Sequence, residues 1–305
     1  MHKVPATAPL ALYAPRVSRS HSPSGRGARD SGAPAPTSLR PQSLMFALLG
    51  YYVFGRGVAV FTGSYVDVFQ RVGVSEQATR STLRRMARRG LLQRHRRGQR
   101  VYFGLTPRSV AILEDGGRRV WEVGAVNRNW DGSWTLLAFS MPEAWRRQRH
   151  DLRSRLLWGG FGLLQSGLWI APSEVDVVGL IGDLGLQAHV KVFVARAGKP
   201  TDIGEMIRDA WDLESLAARY RSFLDRWDRS RPLPDAPDDL ARQLRLLTEW
   251  LQLVRQDPRI PVENLPADWP ALRAEQVFHR LHDTYQAPAQ AIADAVLDTI
   301  SVSPS

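Results

Sequence analysis

A chain of 305 residues with 44% hydrophobic side chains has room for two or three domains with their own cores. It has no cysteine, which excludes a disulfide scaffold, thiolate metal sites and a cysteine nucleophile, and suits a reducing compartment; a cytoplasmic location is the expectation. The formal net charge of +11 favours a polyanionic partner, and no apolar run approaches the roughly 18 residues that a membrane span needs, so no membrane partner is expected.

Residues 1–40 mix proline, glycine, serine and arginine without periodicity, and Asp30 is their only acid. This composition predicts a disordered basic leader. It is arginine-rich and acid-poor like an organellar transit peptide, but its prolines oppose the amphipathic helix such a peptide forms. A first helix is expected from Ser43 through "SLMFALLGYYV". A second should run from Ser64, with Val66, Phe69 and Val72 inward and Gly73 in the following turn.

The stretch "SEQATRSTLRRMARRGLLQRHRRGQRVYF", residues 75 to 103, carries nine arginines against one acid. Leu83, Met86, Ala87 and Gly90 fall at i, i+3, i+4, i+7 and predict a buried helix face, with Ser75 as N-cap and Gly90 at the exit. Arg80, Arg84 and Arg88 then form one outward stripe, with Ser81, Arg85 and Arg89 beside it. In "LLQRHRRGQRVYFGL" the alternation of Val101, Phe103 and Leu105 predicts a β-hairpin whose basic tip lies at Arg97-Gly98. Three helices followed by a basic hairpin are the order of a winged helix-turn-helix.

Charge supports that reading. Residues 71 to 108 hold eleven arginines against Glu76 alone, whereas residues 201 to 305 hold twelve arginines against eighteen acids. A concentrated cationic face is what neutralising DNA phosphates requires. Double-stranded operator DNA is therefore the expected partner. The candidate contacts are Gln77, Thr79, Arg80 and Arg84 towards the bases, Arg88, Arg97 and Arg100 towards phosphate, and Arg85 on the same DNA-binding face.

Thr106-Pro107 predicts the start of a connecting helix running towards Trp121. "WTLLAFS" (134 to 140) reads as a buried strand. Ser140 and Glu143 fit an S-x-x-E capping box ahead of a helix carrying Arg146, Arg149, Leu152, Leu156 and Leu157. Two short extended pieces around Gly167, a helix over Ser173 to Leu184, and the alternating strand "AHVKVFVA" complete a strand, helix, hairpin, helix, strand order. That order suggests a ferredoxin-like α+β unit. The remainder is expected to be helical, with one stripe at Leu216, Tyr220, Phe223, Leu224 and Trp227 and another over Leu240 to Val254.

Several separated motifs carry a family resemblance. "WTLLAFSMPEAWRRQRHDLRSRLLWGGFGLLQSGLWIAP" (134 to 172), "AWDLESLAARYRSFLDRW" (210 to 227) and "VRQDPRIPVENLPADWP" (254 to 270) resemble the PaaX family of bacterial transcriptional regulators, over roughly residues 40 to 300. The resemblance implies a winged-helix N-terminal domain, a middle domain like the Cas2 nucleases and a helical C-terminal domain. It further implies a homodimer repressing an aromatic acid (phenylacetate) catabolic operon and released by an aryl-CoA thioester, phenylacetyl-CoA. Two departures stand out: the leader lies outside the family pattern, and Thr248-Glu249 occupies a place where members often have a histidine beside the glutamate. The expected class is an α+β multi-domain protein with boundaries at 1–40, 41–106, 107–130, 131–198 and 199–305.

Enzymatic readings are weaker. Glu275, His279 and His282 could share one helix face, but no fourth metal ligand is recognisable. A Cas2-like nuclease would need a carboxylate at its first strand, and the nearest acid, Asp131, precedes it. No P-loop, G-x-S-x-G or dinucleotide fingerprint occurs, so no catalytic residue, metal or cofactor is expected. Trp158 and Trp169, with Arg146, Arg147, Arg149, Arg153 and Arg155 nearby, could suit an aryl thioester, although such residues are commonly core and solvated face; no effector residue is assigned. A same-fold regulator answering another acyl or aromatic ligand is the remaining alternative.

Overall fold

The computed structural model describes residues 39–118, 120–121, 125–142, 144–230 and 236–302. The expectation for residues 1–38, like the role given to Glu143, lies outside them. Among the described residues the chain builds two four-stranded antiparallel sheets, each in its own helical setting.

The N-terminal unit begins with α1 (Pro41–Tyr52), which starts two residues before the expected Ser43 because Pro41 occupies the first turn. Strand β1 (Val58–Phe61) follows, and the sequence reading had no strand there. Helix α2 (Thr62–Arg71) starts at Thr62 and not at Ser64, since the Ser64 hydroxyl is engaged elsewhere, donating to Val296 O. Val66, Phe69 and Val72 face inward as expected, joined by Tyr65 and Val68. Gly73 turns the chain at φ 83° into α3 (Glu76–Arg88). The hairpin is β2 (Leu92–Arg97) and β3 (Arg100–Leu105); the turn is Gly98-Gln99, one residue beyond the expected place, with Arg97 paired across from Arg100. Strand β3 is central in the order β2-β3-β1-β8, so Tyr102 and Gly104 are buried along with Phe103. Simple alternation could not show that. A Cβ on Gly104 would sit 3.2 Å from that of Ala59, which makes glycine the residue that lets β1 close against β3.

Helix α4 (Pro107–Arg118) is capped as expected: Ser109 N donates to Thr106 Oγ1, and Thr106 N donates to Ser109 Oγ. The second sheet comprises β4 (Trp134–Phe139), β5 (Gly162–Gln165), β6 (Leu168–Ala171) and β7 (Val190–Ala195) in the order β5-β6-β4-β7. One face carries α5 (Arg146–Trp158) and α6 (Val177–Ile181) on a core of Leu137, Leu152, Leu156, Phe161 and Trp169. Helix α5 begins at Arg146 with no side-chain cap; Ser140 instead continues the strand, its N–H donating to His189 O. Leu152 and Leu156 are buried, whereas Leu157 is 62% exposed. Helix α6 is shorter than expected because Asp176 caps it at Gly179 N. Strand β7 lies at the sheet edge, so Lys191 to Val194 are all exposed despite their alternation.

The opposite face of that sheet packs Trp134 and Ile170 against Ile207 of α7 (Ile203–Ala210) and against Ile260. Helices α8 (Leu213–Trp227), α9 (Asp239–Gln256) and α10 (Pro270–Val296) follow, with both predicted stripes inward except that Leu224, Leu251 and Leu253 are half-buried. Strand β8 (Thr299–Ser301) then returns to the first sheet, beside β1. One continuous apolar core runs from Leu48, Phe69 and Met86 of the N-terminal unit to Trp250 and Phe278 of the C-terminal helices.

Candidate nucleic-acid interface

Helix α3 is built so that its two faces cannot exchange. The Ser75 hydroxyl accepts from Ala78 N at 3.3 Å, fixing the first turn. Thr79, Thr82, Leu83 and Met86 are buried, each at 1% exposure or less. Ala87 is half-buried and Gly90 is exposed at φ 66°, so the latter serves the helix exit and not the core. The outward face presents Gln77, Arg80, Ser81, Arg84, Arg88 and Arg89.

The hairpin is mounted on the same unit by side chains that reach backbone. Tyr65 donates its buried hydroxyl to Phe103 O at 3.1 Å, and burial raises its pKa far beyond neutrality, so it remains a donor. Thr62 donates to Val101 O at 2.7 Å and Thr106 to Gly90 O at 2.8 Å. The hairpin thereby keeps a set position relative to α3, with Arg94, Arg96 and Arg97 exposed along it.

The eight sequence-predicted residues divide. Gln77, Arg84, Arg88 and Arg97 are exposed on this surface; among the described residues, Arg84, Arg88 and Arg97 have no ion-pair partner. Arg80 is exposed but its Nε lies 2.6 Å from Glu76 Oε1. Arg85 is half-buried and donates to Thr82 Oγ1 at 3.1 Å. Thr79 is corrected: it is fully buried and its hydroxyl donates to Ser75 O, which removes it from any base-reading set. Arg100, expected to meet phosphate, instead pairs with Asp298 at 2.7 Å and lies over the Phe61 ring. Arg94 and Arg96 also belong to the exposed surface, as does Arg89, named in the sequence only beside the outward stripe; alternation from the buried Leu92 would have turned Arg94 and Arg96 inward with it.

The alternative sites resolve into structural roles. Glu275 turns to Arg128 and to Ala125 N, while His282 Nδ1 lies 2.9 Å from Gln243 Nε2, and burial lowers the His282 pKa by desolvation. Among the described residues no three potential metal ligands come together. Asp131 accepts from Ser133 N and Ser133 Oγ, which lowers its pKa, the backbone bond most, and makes it a turn-stabilising side chain. Trp169 is core, and Arg155 is buried with Asp183 at 2.6 Å, so neither faces an open site.

Comparison with known proteins agrees with this arrangement along most of the chain. Residues 40–109 match the family described as PaaX-like protein, residues 127–207 the PaaX protein central Cas2-like domain, and residues 211–295 the PaaX-like protein C-terminal domain. The transcriptional repressor PaaX of Escherichia coli (strain K12) is 27% identical over 271 residues, covering 85% of this chain and 82% of that protein. In three dimensions, an uncharacterized protein from Mycobacterium tuberculosis shares the fold with a TM-score of 0.57 at 22% identity, over 85% of this chain and 99% of that one. With three successive domains of one family matched in order, the chain belongs to the PaaX family.

Proposed function

We propose that this protein is a DNA-binding transcriptional repressor whose N-terminal unit acts as a winged helix-turn-helix, with α3 as recognition helix and the β2-β3 hairpin as wing. The observation that carries the reading is the one-sided surface of α3 and the hairpin. Its exposed arginines stand over a fixed core, with Glu76 the only acid between residues 71 and 108. Its similarity to the Escherichia coli transcriptional repressor supports it. In this reading Gln77, Arg80 and Arg84 lie towards base edges, and Arg88 and Arg97 towards phosphate. The middle sheet, with antiparallel order β5-β6-β4-β7 and two helices on one face, supports the ferredoxin-like assignment. Its edge strand β7 exposes Val192, Phe193 and Val194, at 42%, 59% and 54%, and a second copy of the chain is the partner proposed for it.

The effector in this proposal is an aryl-CoA thioester such as phenylacetyl-CoA, an assignment that rests on the family resemblance. No catalytic role is assigned. Fluorescence anisotropy on duplex DNA from upstream of the gene, against a random duplex of equal length, tests the reading. Preferential binding of the upstream duplex, weakened by phenylacetyl-CoA and not by free phenylacetate, is expected. Equal binding of both duplexes sinks the repressor assignment; release by a different acyl-CoA alone sinks only the ligand.

A further inference from the structure

The C-terminal segment 296–302 is built into the DNA-facing unit at three of its elements. It contributes β8 to the first sheet, paired with β1 in the register Val58↔Ser301, Ala59↔Ile300 and Val60↔Thr299. Flanking backbone bonds extend the pairing: Phe61 N donates to Asp298 O at 2.8 Å and Val302 N to Gly57 O at 2.9 Å. The Ser64 hydroxyl of α2 donates to Val296 O and accepts from Asp298 N, so a helix of the N-terminal unit caps the end of α10. From the same corner, the Asp298 carboxylate reaches Arg100 Nη1 at 2.7 Å and lies 3.5 Å from the Tyr102 hydroxyl, both on β3. The match to the family's C-terminal domain ends at residue 295, before any of these contacts.

From this arrangement we infer that residues 296–302 are a clamp that positions the β2-β3 hairpin, with the Arg100–Asp298 pair as its latch. Arg100 is then a positioning residue, in contrast to Arg97, which stands across the turn without an ion-pair partner among the described residues. The clamp is continuous with α10, which packs along α8 and α9, so an axial displacement of that 27-residue helix is delivered to the hairpin. The structural part of the inference stands alone. Its consequence for DNA rests on the repressor reading.

The test measures amide hydrogen exchange over residues 92–105 in the full chain, and DNA affinity across a salt series. The variants are Arg100→Gln, Asp298→Asn, both together, and a truncation after Leu297. Because the paired side chains are 61% and 38% exposed, each single substitution should raise hairpin exchange only about two- to fivefold. The double variant should exchange no faster than the quicker single, since the two remove one interaction. Truncation, which also removes the strand's backbone bonds, should raise hairpin exchange roughly tenfold or more while α8 and α9 keep wild-type protection. The salt slope should be the same for Arg100→Gln as for wild type. Wild-type hairpin exchange in the truncated protein overturns the clamp. A slope reduced by about one in Arg100→Gln overturns the latch and returns Arg100 to the phosphate contacts. If the wild type binds no DNA, the repressor reading falls, and the exchange measurements still decide the clamp.

Discussion

Replacing Arg84 by alanine probes the proposed recognition surface most cleanly. Its side chain is exposed near the middle of α3 and has no ion-pair partner among the described residues, so truncation leaves no partner stranded in the free protein. If Arg84 grips a guanine edge, its loss costs about 1–3 kcal/mol on cognate DNA, a roughly 5- to 150-fold weakening, and little on random DNA. Arg80 provides an internal gauge. It must first leave Glu76, an i, i+4 pair whose side chains are 45% and 52% exposed and which is worth about 0.3–0.5 kcal/mol. Arg80→Ala should therefore cost about twofold less than an otherwise equal contact, and Glu76→Gln should tighten binding by about twofold. Arg97→Ala, at the hairpin tip, should weaken both duplexes alike and reduce the salt slope by about 0.9. Anisotropy titrations over a salt series on cognate and random duplexes separate these effects. Wild-type affinity for both duplexes in Arg84→Ala and Arg97→Ala would show that the arginine face is merely solvated, and the reasoning from charge segregation would fail.

Three further expectations concern the scaffold. Met86→Ala, at a fully buried site under α3, should destabilise by about 2–5 kcal/mol, read as a lower urea midpoint, whereas Arg84→Ala should stay within about 0.5 kcal/mol of wild type. Burial raises Asp257 to about 6, above an unfolded value of about 3.9, so the native state holds the extra proton; wild type should lose up to roughly 3 kcal/mol relative to Asp257→Asn as pH rises from about 4 to about 7, and a wild type that gains on the variant refutes this sign. Gly162→Ala would place a Cβ 2.6 Å from both Ala210 O and Trp211 Cε2, and should cost about 1–3 kcal/mol with an altered tryptophan emission.

What the sequence disclosed depended on how local the physics was. Helix α3 was legible because one repeat separates Leu83 and Met86 from the arginines, and its cap, Ser75, is adjacent. The middle strands were legible because turn residues such as Gly167 bracket short apolar runs. Strand β1 was missed since "VAVF" is apolar throughout and offers no alternation to detect. Strand β8 was beyond reach: three residues long, it is defined by a partner strand some 240 residues away. The same distance explains Arg100, which in sequence is one more basic residue near the hairpin tip and in space belongs to Asp298. Thr79 failed for a narrower reason. The helical wheel places it i, i+4 from Leu83 and i, i+7 from Met86, on the buried face, and only its place in the N-terminal half of the helix argued for a base contact.

The motifs that identify the family and the surface proposed to meet DNA are separate sets of residues, and their geometry explains the separation. Gly160, Gly162, Trp211, Tyr220, Asp257 and Ile260 all come from the motif stretches, and they converge on one joint between the middle sheet and the C-terminal helices. Trp211 Nε1 donates to Gly160 O at 3.3 Å, Tyr220 donates to Asp257 Oδ2 at 2.5 Å, and Asp257 Oδ1 accepts from Arg259 N at 2.6 Å, holding Arg259 at φ 61°. Ile260 then enters the apolar set of Trp134, Ile170 and Ile207. Gly162 has no room for a Cβ, and Trp211, Tyr220 and Asp257 each satisfy a specific polar partner, which ties residue identity to the joint. A cationic face asks less of its residues, since position and charge suffice for phosphate. The three quoted motif stretches therefore mark the joint and charge segregation marks the surface, which the family match over residues 40–109 spans as well. The N-terminal unit shares its core with the C-terminal helices and receives their last strand, whereas the middle sheet meets those helices through this joint. A ligand that shifts the joint would have α10 as a covalent route to β8, and from there the β8-β1 ladder and the Arg100–Asp298 pair as its route to the hairpin.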